Sequence, residues 1–214
     1  MTTPLLPARR KSASLRSLAR GEADGLVAGV DEAGRGPWAG PVVAAAVVLG
    51  EVLPSLDDSK KLSAATRERL FAALQASARD ERVVIGVGMA SVAEIDELNI
   101  HWATMLAMER AVDALGCAVD HVLVDGNRLP KWRHNATAIV GGDGLCAAIS
   151  AASIVAKVTR DRWMAALDAD YPGYGGARNK GYGTAAHARG LAELGITVHH
   201  RRSFAPVRAR LMGA

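Results

Sequence analysis

The stretch GVDEAGRGPWAGPVVAAAVVL, residues 29–49, decides the fold. A short apolar run from Val27 to Val30 arrives at Asp31, and Gly34, Gly36 and Pro37 follow, so the chain reads as a strand that stops at a turn. Pro41 to Leu49 is rich in Val and Ala and reads as a second, buried strand. It is the longest apolar run in the chain, about half of the ~20 residues a membrane span needs. On a regular strand the adjacent Asp31 and Glu32 point to opposite faces. Both reach one site only if the chain bends there, which Gly34 and Gly36 permit.

Outward from this stretch, Ser63 to Ala78 reads as a helix behind the cap candidates Asp58 and Ser59, and Arg82 to Met89 as a strand. Ile95, Leu98, Trp102, Met105, Leu106 and Val112 recur at helical spacing, predicting one amphipathic helix over 94–115. His121 to Val124 is a strand ending at Asp125-Gly126, and Thr137 to Val140 another ending at Gly141-Gly142-Asp143. Residues 147–168 read as a long helix closed by Tyr171-Pro172-Gly173, and the glycine-rich stretch 173–183 as a loop. Three consecutive strands followed by alternating helix and strand predict an α/β fold, a mixed sheet with helices packed on it.

The chain has 214 residues, 50% hydrophobic and 22% charged, which is one globular domain or a domain with a tail. Such a chain buries roughly 70% of its unfolded surface without a disulfide or zinc staple. The composition excludes disordered, collagen-like and disulfide-scaffold classes. Cys117 and Cys146 lie far apart with no C-x-x-C spacing, which fits a reducing cytoplasm and argues against a zinc ribbon. Residues 1–20 carry five basic and no acidic residues; they have no continuous apolar segment for secretion and are taken as an extension outside the fold. Residues 21–156 hold 11 basic and 18 acidic residues, and residues 157–214 ten basic and four acidic. An acidic middle beside a basic last third suits metal-binding carboxylates next to a phosphate-binding surface. Charge alone favours the plainer reading, a segregated solvated surface.

Three strands finish on an acid: Asp31-Glu32, Asp125 and Asp143. In open α/β sheets the crevice outside the carboxyl ends of the strands is where ligands bind. Ser150, Ser153, Lys157 and Asp161 are spaced to share one stripe of the long helix. An acidic cluster without histidine selects Mg²⁺ or Mn²⁺ over zinc. Taken singly, Asp125-Gly126-Asn127 is a tight turn and Asp161 an ion-pair partner for Lys157 or Arg160. The acids carry weight only together.

The blocks GVDEAGRGPWAGPVVAAAVVL, DSKKLS (58–63), IDELNIHWATMLAM (95–108), VLVDGN (122–127), ISAASIVAKVTRD (149–161), KGYGT (180–184) and HHRRSF (199–204) resemble bacterial ribonuclease HII, the type 2 ribonuclease H, in the family's order over about residues 27–207. The resemblance implies the ribonuclease H fold, a five-stranded mixed sheet flanked by helices. It divides the chain into a basic extension (1–26), a catalytic domain (27–208) and a short tail (209–214). It implies a cytoplasmic, monomeric endoribonuclease without membrane contact. Its substrates would be the RNA strand of RNA–DNA hybrids and single ribonucleotides embedded in duplex DNA. Cleavage on the 5′ side, in the service of ribonucleotide excision repair, would leave 3′-hydroxyl and 5′-phosphate ends.

The family's metal-binding carboxylates carry over onto Asp31, Glu32, Asp125 and Asp143, which would hold two Mn²⁺ or Mg²⁺ ions. Asp31 would be shared between the ions. Its glycine-arginine-glycine motif is Gly34-Arg35-Gly36, whose backbone senses the ribose 2′-hydroxyl. Its junction-sensing tyrosine is Tyr182. The family's usual lysine before the last aspartate is replaced here by Gly141, so Asp143 is assigned by its spacing before ISAASIVAK. Asp161 fits as a structural acid. Lys60, Lys61, Lys180, Arg201 and Arg202 are candidate phosphate contacts, of which the three lysines are carried forward. His187, His199 and His200 are read as scaffold. Two rivals are weaker: a non-catalytic hybrid-binding protein, against which the intact acids argue, and a nucleotide enzyme, for which no G-x-x-x-x-G-K-[ST] is present.

Overall fold

The computed structural model describes residues 25–50 and 62–213. Five strands, β1 (Val27–Ala33), β2 (Val42–Leu49), β3 (Val83–Ala90), β4 (His121–Asp125) and β5 (Ala136–Ile139), form one sheet in the order β3-β2-β1-β4-β5. The three sequential strands pair antiparallel, while β1 with β4 and β4 with β5 pair parallel. The sheet is mixed and the architecture α/β, as the element order predicts. The helices are α1 (Ala64–Arg79), α2 (Val92–Asp113), α3 (Ala147–Asp170), α4 (Gly176–Asn179), α5 (Ala185–Glu193) and α6 (Ala205–Met212).

Strand alternation sorts the core into two layers. Ala28, Val30, Val42, Ala44, Ala46 and Val124 face α2, where Ala103, Ala107, Met108 and Ala111 meet them. Ala45 and Val47 face the other way, against Leu70, Phe71 and Leu74 of α1 and Ala151, Ile154 and Val155 of α3. Both faces of β2 are therefore covered, and its unbroken Val/Ala run is the signature of that double burial. No described helix is long and apolar enough to cross a membrane.

Several boundaries differ from the sequence reading. β1 runs on through Asp31 and Glu32 to Ala33, because Glu32 and Ala33 still pair with Ala44 and Val43 of β2. The cap of α1 is Ser63, whose Oγ accepts the Thr66 N–H at 3.1 Å; Asp58 and Ser59 lie outside the described residues. A capping box between Ser91 and Glu94 starts α2. That helix is kinked at Asn99 (φ 66°), whose Oδ1 accepts the His101 and Trp102 amides and caps the second segment anew. Helices α4, α5 and α6 were not anticipated. The first is a single turn between left-handed Gly175 and Lys180, inside the predicted loop. The others are short, and an Ala/Arg-rich stretch shows little apolar periodicity to find.

Candidate active site

Strands β1 and β4 lie side by side and parallel, with Val30 opposite Val124. Asp31 and Asp125 each come one residue later, so two acids stand together at the carboxyl ends of neighbouring central strands. Asp31 is 5% exposed; its carboxylate accepts the Glu32 N–H at 2.7 Å and a hydrogen bond from Ser153 of α3. Burial pushes the Asp31 carboxyl well above the usual carboxylate range, and the negative charges of Glu32 and Asp125 push it further. Glu32 is raised too, chiefly by burial; Arg35, whose Nη1 lies 3.3 Å from its Oε1, opposes that shift. The Asp31 and Glu32 carboxyls lie close enough for each to bear on the other's protonation. Two adjacent residues of a paired strand thus serve one site without the strand ending between them.

Asp125 Oδ1 accepts the Gly142 N–H at 2.7 Å. This brings the 3₁₀ turn Gly142–Gly144, with Asp143 buried inside it, to the same end of the sheet. Gly141, at the position of the departure from the family pattern, is left-handed (φ 67°) with open space where a side chain would stand. The Gly142 position has no such room, since a Cβ there would meet Ile149 Cδ1 at 2.6 Å. Among the described residues, no group of three or more His, Cys, Asp or Glu side chains stands placed to hold a metal ion. Asp31 and Glu32 are desolvated and both feel the charge of Asp125, while Arg35 at the rim opposes the shift of Glu32. An all-oxygen donor set of this kind suits hard divalent cations.

The loop from Gly34 to Pro41, which connects β1 to β2, is held from beneath by two arginines. Arg201, completely buried, donates Nε–H to Gly40 O (2.9 Å), Nη1–H to Arg35 O (2.9 Å), and Nη2–H to Gly34 O (2.6 Å) and Pro41 O (3.2 Å). Arg160 on α3 donates to Pro41 O (2.9 Å), Ala39 O (3.1 Å) and Lys180 O (2.9 Å). Burial lowers Arg160 to about 10 and Arg201 to about 9, so both stay charged at neutral pH. Gly34 (φ 98°) lies against Arg160, and a Cβ there would fall on the guanidinium. Arg201, a candidate phosphate contact by sequence, is thus an internal support with no access to a ligand. Arg202 is exposed beside it, and Asp96 accepts the Arg202 and Ser203 amides, both at 2.9 Å.

A cleft of about 440 Å³ opens between this loop and α3, lined by Glu32, Gly34, Gly36, Ser153, Lys157 and Tyr182 among others. Tyr182 is 48% exposed, and its ring is close enough to Gly36 that a Cβ there would come within 3.3 Å. Two histidines hold its backbone. The Thr197 N–H donates to His200 Nδ1 at 3.0 Å, which leaves the proton of neutral His200 on Nε2. Nε2 donates to His187 Nε2 at 3.1 Å, and His187 Nδ1 donates to Tyr182 O at 3.0 Å. His187 and His200 are 1% and 2% exposed, scaffold as expected, and His199 packs edge-on to Tyr171. Lys180 directs its Nζ to Ala177 O at 2.6 Å, within its own turn. Lys157 pairs with Asp161 at 2.6 Å, the plain reading of that acid. Lys60 and Lys61 lie outside the described residues.

A five-stranded mixed sheet in this order, with acids gathered at the ends of its central parallel strands, defines a hydrolase of the ribonuclease H fold. The chain belongs to the Ribonuclease HII family, whose model matches residues 28–207. It is 60% identical over 183 residues to Ribonuclease HII of Rhizorhabdus wittichii, covering 85% of this chain and 88% of that one. It is 60% identical over 193 residues to the Rhodospirillum rubrum protein of the same name, covering 87% of each. Among solved structures, ribonuclease H2 from Pyrococcus horikoshii superposes with a TM-score of 0.68 at 27% identity, covering 88% of this chain and 98% of that one. The protein is therefore an endoribonuclease acting on RNA–DNA hybrids.

Proposed function

We propose that this enzyme, besides hydrolysing the RNA strand of hybrids, cuts on the 5′ side of single ribonucleotides embedded in duplex DNA. Two divalent ions, Mn²⁺ or Mg²⁺, would be held by Asp31, Glu32, Asp125 and Asp143. The observation that carries the reading is the group Asp31, Glu32 and Asp125: desolvation raises the Asp31 and Glu32 carboxyls, and the negative charge of Asp125 raises both further. Such a group is unfavourable when ionised unless cations neutralise it. When bound, a pair of ions supplies a more acidic attacking water and charge stabilisation for the departing 3′-oxygen.

The protein's own groups do the rest. Ser153 and the Glu32 amide orient the Asp31 carboxylate. The Gly142 amide orients Asp125 and keeps the Asp143 turn beside it. Gly34 and Gly36, bare of Cβ atoms, let the backbone approach the ribose 2′-hydroxyl, the group that distinguishes a ribonucleotide from its DNA neighbour. Tyr182, exposed beside Gly36, offers a flat face to the sugar that lacks that hydroxyl. Cleavage leaves 3′-hydroxyl and 5′-phosphate ends. The enzyme acts as a cytoplasmic monomer in the removal of ribonucleotides from DNA.

The test is incubation of end-labelled duplex DNA carrying one ribonucleotide, with Mg²⁺, Mn²⁺ and chelator compared. Nicking 5′ of the ribonucleotide, lost in chelator, is the expected result. Cleavage of hybrid alone would refute the wider specificity.

A further inference from the structure

We infer that Arg160 and Arg201 are positioning residues for ribonucleotide recognition, a two-guanidinium bracket that sets the Gly34–Pro41 loop at a fixed height and in fixed register with Tyr182. The inference rests on the sensing roles proposed above for Gly34, Gly36 and Tyr182.

Burying a guanidinium is unfavourable, and proteins ordinarily match it with a carboxylate. Among the described residues neither of these arginines has one within ion-pair distance. Their donors go to backbone carbonyls, those of Gly34, Arg35, Gly40 and Pro41 for Arg201 and those of Ala39, Pro41 and Lys180 for Arg160. Pro41 O receives both. A carbonyl drawn down onto an arginine fixes its peptide plane, and with it the direction of the following N–H. The carbonyls of Gly34 and Arg35 therefore set the amides of Arg35 and Gly36, the segment assigned to the 2′-hydroxyl. Charge-assisted bonds from a rigid planar fork suit this task better than a flexible ammonium.

Arg160 adds a second constraint. By holding Ala39 O and Pro41 O with one side of its fork and Lys180 O with the other, it couples the loop to the turn that carries Tyr182. Trp38 N–H to Gly181 O, at 2.8 Å, runs in parallel with this link. The distance between the two sensing elements is thus set through Arg160, while Arg201 sets the loop itself.

The experiment uses Arg201→Lys and Arg160→Lys, which keep the charge and lose the fork, with Gly36→Ala and Tyr182→Ala as references. Each protein is given three duplexes: all DNA, DNA with one ribonucleotide, and uniform hybrid. Two ratios are read, the affinity in chelator for the one-ribonucleotide duplex over all-DNA, and kcat/KM on the one-ribonucleotide duplex over hybrid. Arg201→Lys is expected to lower the first ratio at least fivefold. Arg160→Lys is expected to lower the second at least tenfold, through kcat more than KM. Both ratios are independent of the fraction of protein folded, so a variant that is merely destabilised leaves them at the wild-type value, and that result overturns the role of the arginine concerned. If the arginine variants leave the ratios alone while Gly36→Ala and Tyr182→Ala shift them, the bracket fails and the sensing roles stand. If the two reference variants shift neither ratio, the sensing roles fail and the bracket falls with them.

Discussion

Gly142 donates its amide to Asp125 Oδ1 at 2.7 Å, so the turn that buries Asp143 is fastened to the end of β4 by its own backbone N–H and the Asp125 carboxylate. A side chain at this position would have to displace the buried Ile149. A methyl group would stand 2.6 Å from Ile149 Cδ1 and 3.4 Å from the same Asp125 oxygen. Gly142→Ala is expected to cost roughly 1–3 kcal/mol by overpacking and to lower hybrid cleavage at least tenfold. Urea unfolding and steady-state kinetics measure the two effects; a variant normal in both would show that the turn has slack.

On the proposed reading, Asp31 is a site where function opposes stability. A carboxyl whose folded pKa is raised binds its proton more tightly in the native state. Its contribution is present below the unfolded value and lost as pH rises through the folded one, so toward neutral pH this carboxyl weakens the metal-free fold. Asp31→Asn should raise the Tm in chelator at pH 7.5 while lowering kcat on the order of a hundredfold or more. A lower Tm in calorimetry would contradict the electrostatic account.

The histidine pair has the opposite sign. Burial and the neighbouring His187 hold His200 at about 4, below the usual histidine range. Stability is full above the unfolded value of ~6.5 and falls as pH drops from there toward 4. The slope is about 1.4 kcal/mol per pH unit for one excluded proton. His200→Gln keeps an acceptor for the Thr197 amide and a donor for His187. It should flatten this acid limb in pH-dependent denaturant titrations; an unchanged limb would mean that His200 titrates normally.

Tyr182 has a selective role on the proposed reading, so Tyr182→Ala should cut cleavage of isolated ribonucleotides at least tenfold more than cleavage of uniform hybrid. Its side chain is half exposed, and the Tm should move little. Equal losses on both duplexes would remove the sensing role.

Much of this architecture can be read from the residues. The Val/Ala run of β2, the alternation on either side of it and the acids that follow the apolar runs of β1 and β4 are local signals, and the sheet places the apolar runs as periodicity implies. Arg160 and Arg201 are illegible by the same means. A charged residue in a sequence reads as surface, and what permits their burial is a set of carbonyls lying 119 to 161 residues away for the Pro41 and Gly40 contacts. Strand alternation alone separates the neighbours Asp31 and Glu32; the family resemblance assigns both to one site, and in the packed strand each bears on the other's protonation. The break at Asn99 was hidden because apolar spacing continues on both sides of it, and only the positive φ reveals the change of direction.

On the proposed reading, the acids that cut and the glycines that read the sugar are neighbours along one strand-to-loop segment. Glu32 and Gly34 are two residues apart, which limits their separation to roughly 7 Å whatever the surroundings do. The gauge between the sugar inspected and the bond broken is therefore built into peptide length, and no domain movement is needed to set it. If those roles hold, reading and cutting cannot fall out of step along the duplex, because the scissor and the ruler are one piece of chain.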